Sequence, residues 1–453
     1  MIGTAALAIA VLTLVTYFAG RSRAAALPAA EMHSRPTYHG AFGALWTSIA
    51  GFGVLILGAL VTAIALQYAL YAALPADTAS LATIERDLIV QDGIAIAEGR
   101  LSSRSGPARE AVAETFSTYS TLRGWVLFIA ALGAAVWAGL RCYRKIAPEF
   151  RARNRTEQVV SWILIFAAGV AILTTLGIVL SLTGQTVRFF GEVGITNFLF
   201  GTHWSPLSGV HEGEMDSAKV GAIPLFAGTL LITGIAMLVA VPVGLLAAIY
   251  LSDYASARFR SIAKPLLELL AGIPTVVYGF FAAIVVAPFF KGVGESIGLT
   301  VSSESALAAG VVMGIMIIPF ISSLSDDVIN AVPQSLRDGA LGLGATKAET
   351  MRNVVLPAAL PGIVSAVLLG VSRAIGETMI VVMAAGQAAN LTGNPLEAVT
   401  TVTVQIVALI TGDTEASTAA GPAFALGFTL FCVTLAFNII ALRLVNKYRE
   451  RYD

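Results

Sequence analysis

The feature that most constrains this chain is a succession of long apolar runs, most of them close to or above the roughly 18 residues that an α-helix needs to cross a lipid bilayer. Ten-residue segments of alternating polarity, which are typical of membrane β-barrel strands, are absent from the sequence. The pattern therefore predicts an all-α polytopic membrane protein. Nine spans are predicted, at Ile2–Ala19, Phe42–Tyr71, Gly124–Leu140, Val159–Leu182, Ile223–Leu251, Ile262–Phe290, Ala306–Ile321, Leu360–Ala385 and Pro422–Val445.

Composition agrees with burial in lipid. Hydrophobic residues make up 57% of the chain and charged residues only 12%, whereas a soluble domain carries about 25% charged residues. The 28 basic and 28 acidic residues cancel, which argues against a nucleic-acid partner. Membrane lipid is the expected surrounding of most of the chain.

Chemical motifs for catalysis are missing from the sequence. The two cysteines, Cys142 and Cys432, lie far apart, and the four histidines form no set with metal-ligand spacing. Neither a glycine-rich phosphate loop nor a nucleophile elbow is present. We therefore expect no catalytic residues, no metal site and no cofactor, and we expect that this chain does not itself hydrolyse ATP.

The distribution of Lys and Arg predicts the orientation, because these residues collect on the cytoplasmic side of a membrane. Three basic clusters mark that side: Arg141, Arg144, Lys145, Arg151, Arg153 and Arg155; Arg258, Arg260 and Lys264; and Arg443, Lys447, Arg449 and Arg451. The alternate loops carry more acidic than basic residues. The N-terminus is therefore expected outside and the C-terminus in the cytoplasm.

The chain is predicted to contain two blocks. Residues 1–150 form an N-terminal membrane extension whose segment 75–123 shows helical spacing and is expected to form an external helical hairpin. Residues 155–453 hold the last six spans. A polar segment, 333–357, interrupts this second block between its fourth and fifth spans and is expected on the cytoplasmic side.

Charged residues inside the predicted spans are the strongest candidates for function. Arg373 and Glu377 lie in the eighth span and Glu268 in the sixth. A charge at membrane depth costs about 2.5–3.5 kcal/mol even on insertion scales, so such residues usually mark a pathway. Four residues apart on one predicted helix, Arg373 and Glu377 are expected to pair. Two hypotheses stay open: an ion pair that only fixes helix packing, or a guanidinium that receives an oxyanion while the carboxylate tunes it.

The polar segment carries a spaced motif. An acidic residue and two small residues precede a glycine, and an aliphatic-x-Leu-Pro sequence follows. This pattern resembles the EAA loop of ATP-binding-cassette importer permeases, the cytoplasmic element that sits in a cleft of the ATPase; here Asp replaces the usual Glu and Gly the first Ala. The coupling residues that this resemblance implies are Asp338, Gly339, Ala340, Gly344, Leu356 and Pro357.

A second resemblance narrows the family. The sequence from Arg373 to Met379, Arg-Ala-Ile-Gly-Glu-Thr-Met, and the sequence Leu270–Gly279, in which Gly and Pro break the helix, resemble segments of the PstC family of phosphate-specific importer permeases. The resemblance extends from about Ser161 to the C-terminus. The first 150 residues lie outside the usual short form, and Ile380 replaces the usual Ala.

This resemblance implies a fold, a function and partners. The fold is a six-span type I importer permease core preceded by about three extra transmembrane helices. The chain would form half of a path for inorganic phosphate across the inner membrane of a bacterium. Its partners would be a PstA-like second permease, two copies of a PstB-like ATPase that use the ATP, and an external phosphate-binding protein. The implied translocation residues are Arg373, Glu377 and Thr378.

Three alternatives remain at the level of sequence. The first is a permease for another oxyanion, such as sulfate or molybdate, because charge does not separate tetrahedral anions. The second is a proton-coupled secondary transporter with Glu377 as the relay, which would have no need of the element between Asp338 and Pro357. The third, a membrane-bound enzyme, is disfavoured by the lack of a metal set or nucleophile–base pair.

Overall fold

The computed structural model describes residues 2–28, 32–75, 78, 83–100, 106–206, 219–412 and 416–448. Within these ranges the regular structure is helical, apart from one isolated β-bridge between Trp204 and Val220. The all-α class is therefore confirmed. Arg449 and Arg451, which belong to the third predicted basic cluster, lie outside the described residues.

Seventeen α-helices form the described part of the chain. They are α1 Ile2–Ala25, α2 Pro36–Ala72, α3 Thr83–Ala97, α4 Pro107–Arg144, α5 Ala152–Val193, α6 Ile195–Phe200, α7 Ile223–Ile249, α8 Ala257–Ala271, α9 Thr275–Phe281, α10 Ala287–Ser296, α11 Ala306–Asn330, α12 Gln334–Gly342, α13 Lys347–Thr350, α14 Leu356–Ile375, α15 Met379–Ala384, α16 Val402–Thr411 and α17 Ala416–Tyr448. Single π-helical turns follow α7 at Tyr250–Tyr254, α9 at Ala282–Val286 and α13 at Met351–Val355.

Nine helical segments of the described residues are long and apolar enough to cross a membrane, in agreement with the predicted number of spans. They are Ile2–Ala25, Pro36–Ala72, Pro107–Arg144, Ala152–Val193, Ile223–Tyr254, Thr275–Ser296, Ala306–Asn330, Lys347–Ile375 and Gly421–Arg443. The chain divides into two compact units, Met1–Leu173 and Thr174–Asp453, with the boundary inside α5.

The N-terminal unit is built on α1, α2 and α4, which pack through small residues. A Cβ atom at Gly51 would lie 2.8 Å from the Ile9 side chain and 3.1 Å from Ala135. Close approach of backbones is the usual basis of helix association in lipid, where water exclusion contributes little between helices. Within 75–123, α3 and the first turns of α4 form a helical hairpin, in which Arg109 Nε donates to Asp92 Oδ2 at 2.8 Å.

The C-terminal unit is centred on α7 and α11. Ile232 of α7 and Met313 and Ile317 of α11 are fully or almost fully buried in one apolar cluster. Two glycines of α11, Gly310 and Gly314, let the helices approach, since a Cβ at either position would meet α7 atoms at less than 3.0 Å. This helix pair is the frame on which the candidate site is built.

The sixth predicted span, Ile262–Phe290, is wrong in its first half. Helix α8 ends at Ala271, and the apolar helix that is long enough to span begins at Thr275. Pro274 has no backbone N–H to donate and disfavours helical geometry in the residue before it, so the helix stops there. Glu268 consequently lies on the exposed, amphipathic α8 and outside the span.

The eighth predicted span, Leu360–Ala385, is wrong at its C-terminal end. The helix ends at Ile375, and a separate short helix, α15, begins at Met379. A loop and α16 follow before α17. Apolar composition continues through the break, so hydropathy alone does not reveal it.

Gly314 offers a test of the α7–α11 packing. Gly314→Ala places a Cβ 2.8 Å from both Ala236 O and Val239 Cβ, and overpacking of this kind typically costs about 1–3 kcal/mol. We expect a lower thermal-unfolding midpoint for the purified protein in detergent. Gly234→Ala is the matched control, because no atom lies within 4 Å of its Cβ position. Equal midpoints for the two variants would contradict the close packing.

Candidate translocation and coupling site

The polar segment 333–357 consists of two helices joined by a glycine turn. Helix α12 ends in a Schellman motif: the N–H of Ala345 donates to Ala340 O at 3.1 Å, and the N–H of Gly344 donates to Leu341 O at 2.9 Å. Gly344 has φ = +89°, in the left-handed region that glycine adopts without strain. The motif glycine is therefore needed for the backbone geometry of the turn.

Helix α13 starts directly after this turn with a capping box. The Glu349 N–H donates to Thr346 Oγ1 at 3.3 Å, and the Thr346 N–H donates to Glu349 Oε2 at 2.8 Å. Both helix ends are thus satisfied within the ten residues from Ala340 to Glu349, and the sharp change of direction is defined by local sequence.

The predicted coupling residues lie on this segment with different exposures. Asp338, Gly339, Gly344 and Pro357 are exposed, whereas Ala340 and Leu356 are half-buried. Asp338 Oδ1 accepts a hydrogen bond from Gln334 Nε2 at 3.0 Å.

An apolar residue missed by the motif shares this surface: Leu343 is 92% exposed. Leu343 lies between two glycines and presents an exposed apolar side chain on an otherwise polar surface.

A buried arginine anchors the segment to the membrane core. Arg337 Nη1 donates to Asp253 Oδ1 at 2.5 Å, and its Nη2 donates to Ile329 O at 2.7 Å. Only 9% of Arg337 is exposed. Arg337 is not among the functional residues predicted from the sequence; the available signal was Asp253, an acidic residue at the end of an apolar run on the same predicted side.

A second charge cluster fastens α8 to the end of α11. The Asp326 carboxylate, whose side chain is 2% exposed, accepts hydrogen bonds from Arg260 at 3.0 and 3.1 Å and from Lys264 at 3.0 Å. Asn330 Nδ2 donates to it at 2.8 Å. Hydrogen bonds to Asp327 and Asp326 raise the pKa of Lys264, so its ammonium stays charged.

This cluster is not apparent from the sequence for a specific reason. Arg260 and Lys264 there indicate only the orientation, and the predicted seventh span ends at Ile321. The helix continues to Asn330 and carries Asp326 with it.

The expected ion pair between Arg373 and Glu377 is wrong. Helix α14 ends at Ile375, so the two side chains no longer share one helical face, and no ion pair joins them in the described part of the chain. Glu377 is buried, and its Oε1 accepts hydrogen bonds from the N–H groups of Met379 at 3.0 Å and Ile380 at 3.4 Å. The carboxylate therefore caps α15, where it satisfies donors that a helix start leaves free.

Arg373 instead contacts an aromatic ring of α11. It is exposed in the isolated chain, and its guanidinium carbon lies 5.6 Å from the centre of the Phe320 ring, within the range of a cation–π contact.

The break between α14 and α15 is stabilised by a hydrogen bond from α16. Thr403 Oγ1 of α16 donates to Glu377 O at 2.9 Å. Thr378 follows at the start of α15, half-buried, and its hydroxyl is 3.5 Å from Gly376 O. The three predicted residues are thus close along the chain, but Glu377 has a structural role that the sequence did not indicate.

The turn at Gly344 is tested by one methyl group. Gly344→Ala forces a Cβ into left-handed geometry, which costs about 1–2 kcal/mol although the surrounding space is open. We expect faster limited proteolysis within 333–357, because local opening becomes easier. Gly342→Ala, in an equally open position without a positive φ, is the control and should be cleaved no faster than the natural protein.

The Arg337 anchor is tested by removal of one charge. Arg337→Leu leaves Asp253 with 20% side-chain exposure and no partner, and a broken buried pair typically costs about 3–5 kcal/mol. We expect a clearly lower unfolding midpoint, with partial recovery when Asp253→Leu is added. Arg352→Leu, an exposed base of the same segment, should leave the midpoint nearly unchanged. A midpoint for Arg337→Leu equal to this control would refute the anchor.

Comparison with known proteins agrees with this architecture. Residues 6–174 match the family described as "Phosphate ATP-binding cassette transporter", and residues 240–450 match "Binding-protein-dependent transport system inner membrane component". A solved structure of the MetNI methionine ABC transporter in an inward-facing conformation is 20% identical over 51% of this chain and 95% of that chain, with a TM-score of 0.38 that is too low to carry an argument.

Two curated relatives cover most of their own length. A probable ABC transporter permease protein, YqgH of Bacillus subtilis, is 32% identical over 66% of this chain and 91% of its own. The phosphate transport system permease protein PstC of Mesorhizobium japonicum is 32% identical over 67% of this chain and 90% of its own. Nine helices of the described ranges are long and apolar enough to cross a membrane, and the chain is a multi-pass protein of the inner membrane. It belongs to the PstC family of phosphate transport system permeases.

Proposed function

We propose that this chain is the permease subunit of an ATP-driven importer and forms half of the translocation path for inorganic phosphate. The family assignment supports the transported ion, since several relatives are named phosphate transport system permeases. ATP is used by a partner ATPase, and the chain itself supplies no catalytic residue. The N-terminus lies outside and the C-terminus in the cytoplasm, as the positive-inside pattern favours.

The observation that carries the proposal is the free guanidinium of Arg373. An unpaired charge near a membrane span is costly, and no carboxylate of the described residues neutralises it. A guanidinium presents a planar fork of N–H donors that matches the oxygens of a tetrahedral anion. The Phe320 ring covers one face of this group and leaves its edges available for hydrogen bonding.

Glu377 and Thr378 serve the same site in different ways. The Glu377 carboxylate holds the break between α14 and α15 by accepting two backbone N–H groups, and this keeps Arg373 at the end of a helix. Thr378 places a hydroxyl beside the break as a further hydrogen-bonding group for the ion.

Glu377 Oε1 is engaged by two backbone N–H groups as a cap of α15, which is a structural role and not that of a proton relay. The alternative of a proton-coupled transporter is disfavoured for that reason. Sulfate and molybdate present the same tetrahedral oxygens to Arg373, and the names of the relatives and the family matched by residues 6–174 favour phosphate over them.

Coupling runs through the segment 333–357. The exposed α12 surface around Asp338 and Leu343 docks in the cleft of a PstB-like ATPase, which is present in two copies. A PstA-like permease supplies the other half of the path. Closure of the ATPases on ATP moves α12, and Arg337 transmits that movement to the ends of α7 and α11. A phosphate-binding protein delivers the ion to the outer loops.

Substitution of Arg373 tests the transport site. Arg373→Gln removes the charged donor, and a hydrogen bond to a charged group is worth about 1.5–3 kcal/mol, so we expect phosphate uptake to fall at least tenfold in cells that still contain the assembled complex. Arg373→Lys should recover only part of the uptake, because an ammonium lacks the planar fork. Arg258→Gln, which removes an exposed base elsewhere in the same unit, should transport normally.

The charge-exchanged variant, Arg373→Glu with Glu377→Arg, separates the two hypotheses for these residues. The geometry predicts no recovery, since an arginine at position 377 cannot accept the α15 N–H groups. Recovery of uptake in this double variant, or normal uptake by Arg373→Gln, would refute the anion-receiving role.

A further inference from the structure

We propose that the N-terminal unit holds a binding site for the headgroup of an acidic glycerophospholipid, in a cavity between the ends of α2, α4 and α5. The cavity measures about 460 Å³, and every residue that lines it belongs to Met1–Leu173. This proposal is independent of the transported ion and concerns a part of the chain to which the proposed function gives no role.

The mouth of the cavity is strongly basic. Arg141 comes from the last turn of α4, Lys145 caps that helix and Arg155 comes from the first turns of α5. All three are exposed, and within the described residues none has a carboxylate partner or an acidic neighbour in the cavity lining. The adjacent Arg153, by contrast, is neutralised by Glu157 at 2.7 Å and does not line the cavity.

The direction of α5 adds to this positive potential. Its N-terminus lies at the mouth, where the helix dipole favours an anion. Three unpaired bases and a helix start therefore converge on one place that only an anionic group would neutralise.

The body of the cavity is aromatic. Trp46 of α2, Trp137 of α4 and Trp162 of α5 line it, and Trp162 is 71% exposed. Trp162 lies seven residues beyond Arg155 on α5, which is about 10 Å along a helix. Indole rings at this depth are typical of the boundary between headgroups and acyl chains. The Arg141 guanidinium carbon lies 5.5 Å from the centre of the Trp137 ring, which orients this base at the mouth.

A phospholipid fits both the basic mouth and the aromatic body of the cavity, whereas a free phosphate ion fits only the mouth. A dissolved ion would gain contacts with the bases but nothing from an aromatic wall that continues into the span. The phosphate of a phospholipid binds the bases while its acyl chains lie along the tryptophans. Basic pockets between transmembrane helices on the cytoplasmic side are typical sites for acidic headgroups, and each base near an anionic membrane surface contributes a several-fold gain in affinity.

The test uses the intact complex in a neutral detergent, with phosphatidylglycerol as the probe. We expect bound phosphatidylglycerol in native mass spectra and a raised unfolding midpoint on its addition, with little effect from phosphatidylcholine. The variant Arg141→Gln, Lys145→Gln, Arg155→Gln should bind phosphatidylglycerol at least tenfold more weakly. The control Arg144→Gln, Arg151→Gln, Arg153→Gln removes the same number of bases nearby, none of which lines the cavity, and should bind normally.

Three results would overturn the proposal. Equal binding of phosphatidylglycerol and phosphatidylcholine would show that no headgroup is recognised. Equal weakening by the two triple variants would show general charge attraction. Displacement of phosphatidylglycerol by millimolar inorganic phosphate, together with a raised unfolding midpoint in phosphate alone, would assign the cavity to the free ion. If the triple variant of the cavity bases does not assemble, the single variant Arg155→Gln tests the proposal instead. We expect it to bind phosphatidylglycerol several-fold more weakly, and unchanged affinity would refute the proposal.

Discussion

The buried carboxylate of Asp326 is the interaction on which the polar end of the C-terminal unit depends. A charge with 2% side-chain exposure is tolerated only when it is paired and hydrogen-bonded. Arg260 and Lys264 supply the charge, and Asn330 supplies a further donor. Because these partners come from α8 and from α11 itself, one carboxylate determines where an otherwise exposed helix lies.

The Arg337 anchor joins the same region from the other side. Asn330 contacts Ser252, and Arg337 binds both Asp253 and Ile329 O, so the ends of α7 and α11 and the start of α12 share one polar network. This polar network connects the segment 333–357 to the ends of two long membrane helices. The glycine turn and the capping box beyond it then present a well-defined surface to a partner.

A buried carboxylate that needs hydrogen-bond partners also explains the break between α14 and α15 at Glu377. A helix that starts inside an apolar region leaves N–H groups that must find acceptors, and the Glu377 carboxylate provides one for the start of α15. This use of the carboxylate frees Arg373. The expected ion pair is wrong, and Arg373 is left without a carboxylate partner, for a single reason: the helix ends two residues earlier than a spacing of four residues on one face requires.

Local sequence determined the properties that depend only on local length and composition. The all-helical class and the nine spans follow from apolar runs, and the turn at Gly344 follows from a motif whose hydrogen bonds lie within six residues. Tertiary structure alone decided the partners of Arg337, which lies 84 residues from Asp253, and of Arg260, which lies 66 residues from Asp326. It also decided where α14 ends, because the Thr403 hydroxyl that donates to Glu377 O belongs to α16. The hydropathy of the sequence does not change at the end of α14. Contacts between distant residues carry no local signal, and for that reason the sequence located the functional segments while only the folded chain showed what holds them in place.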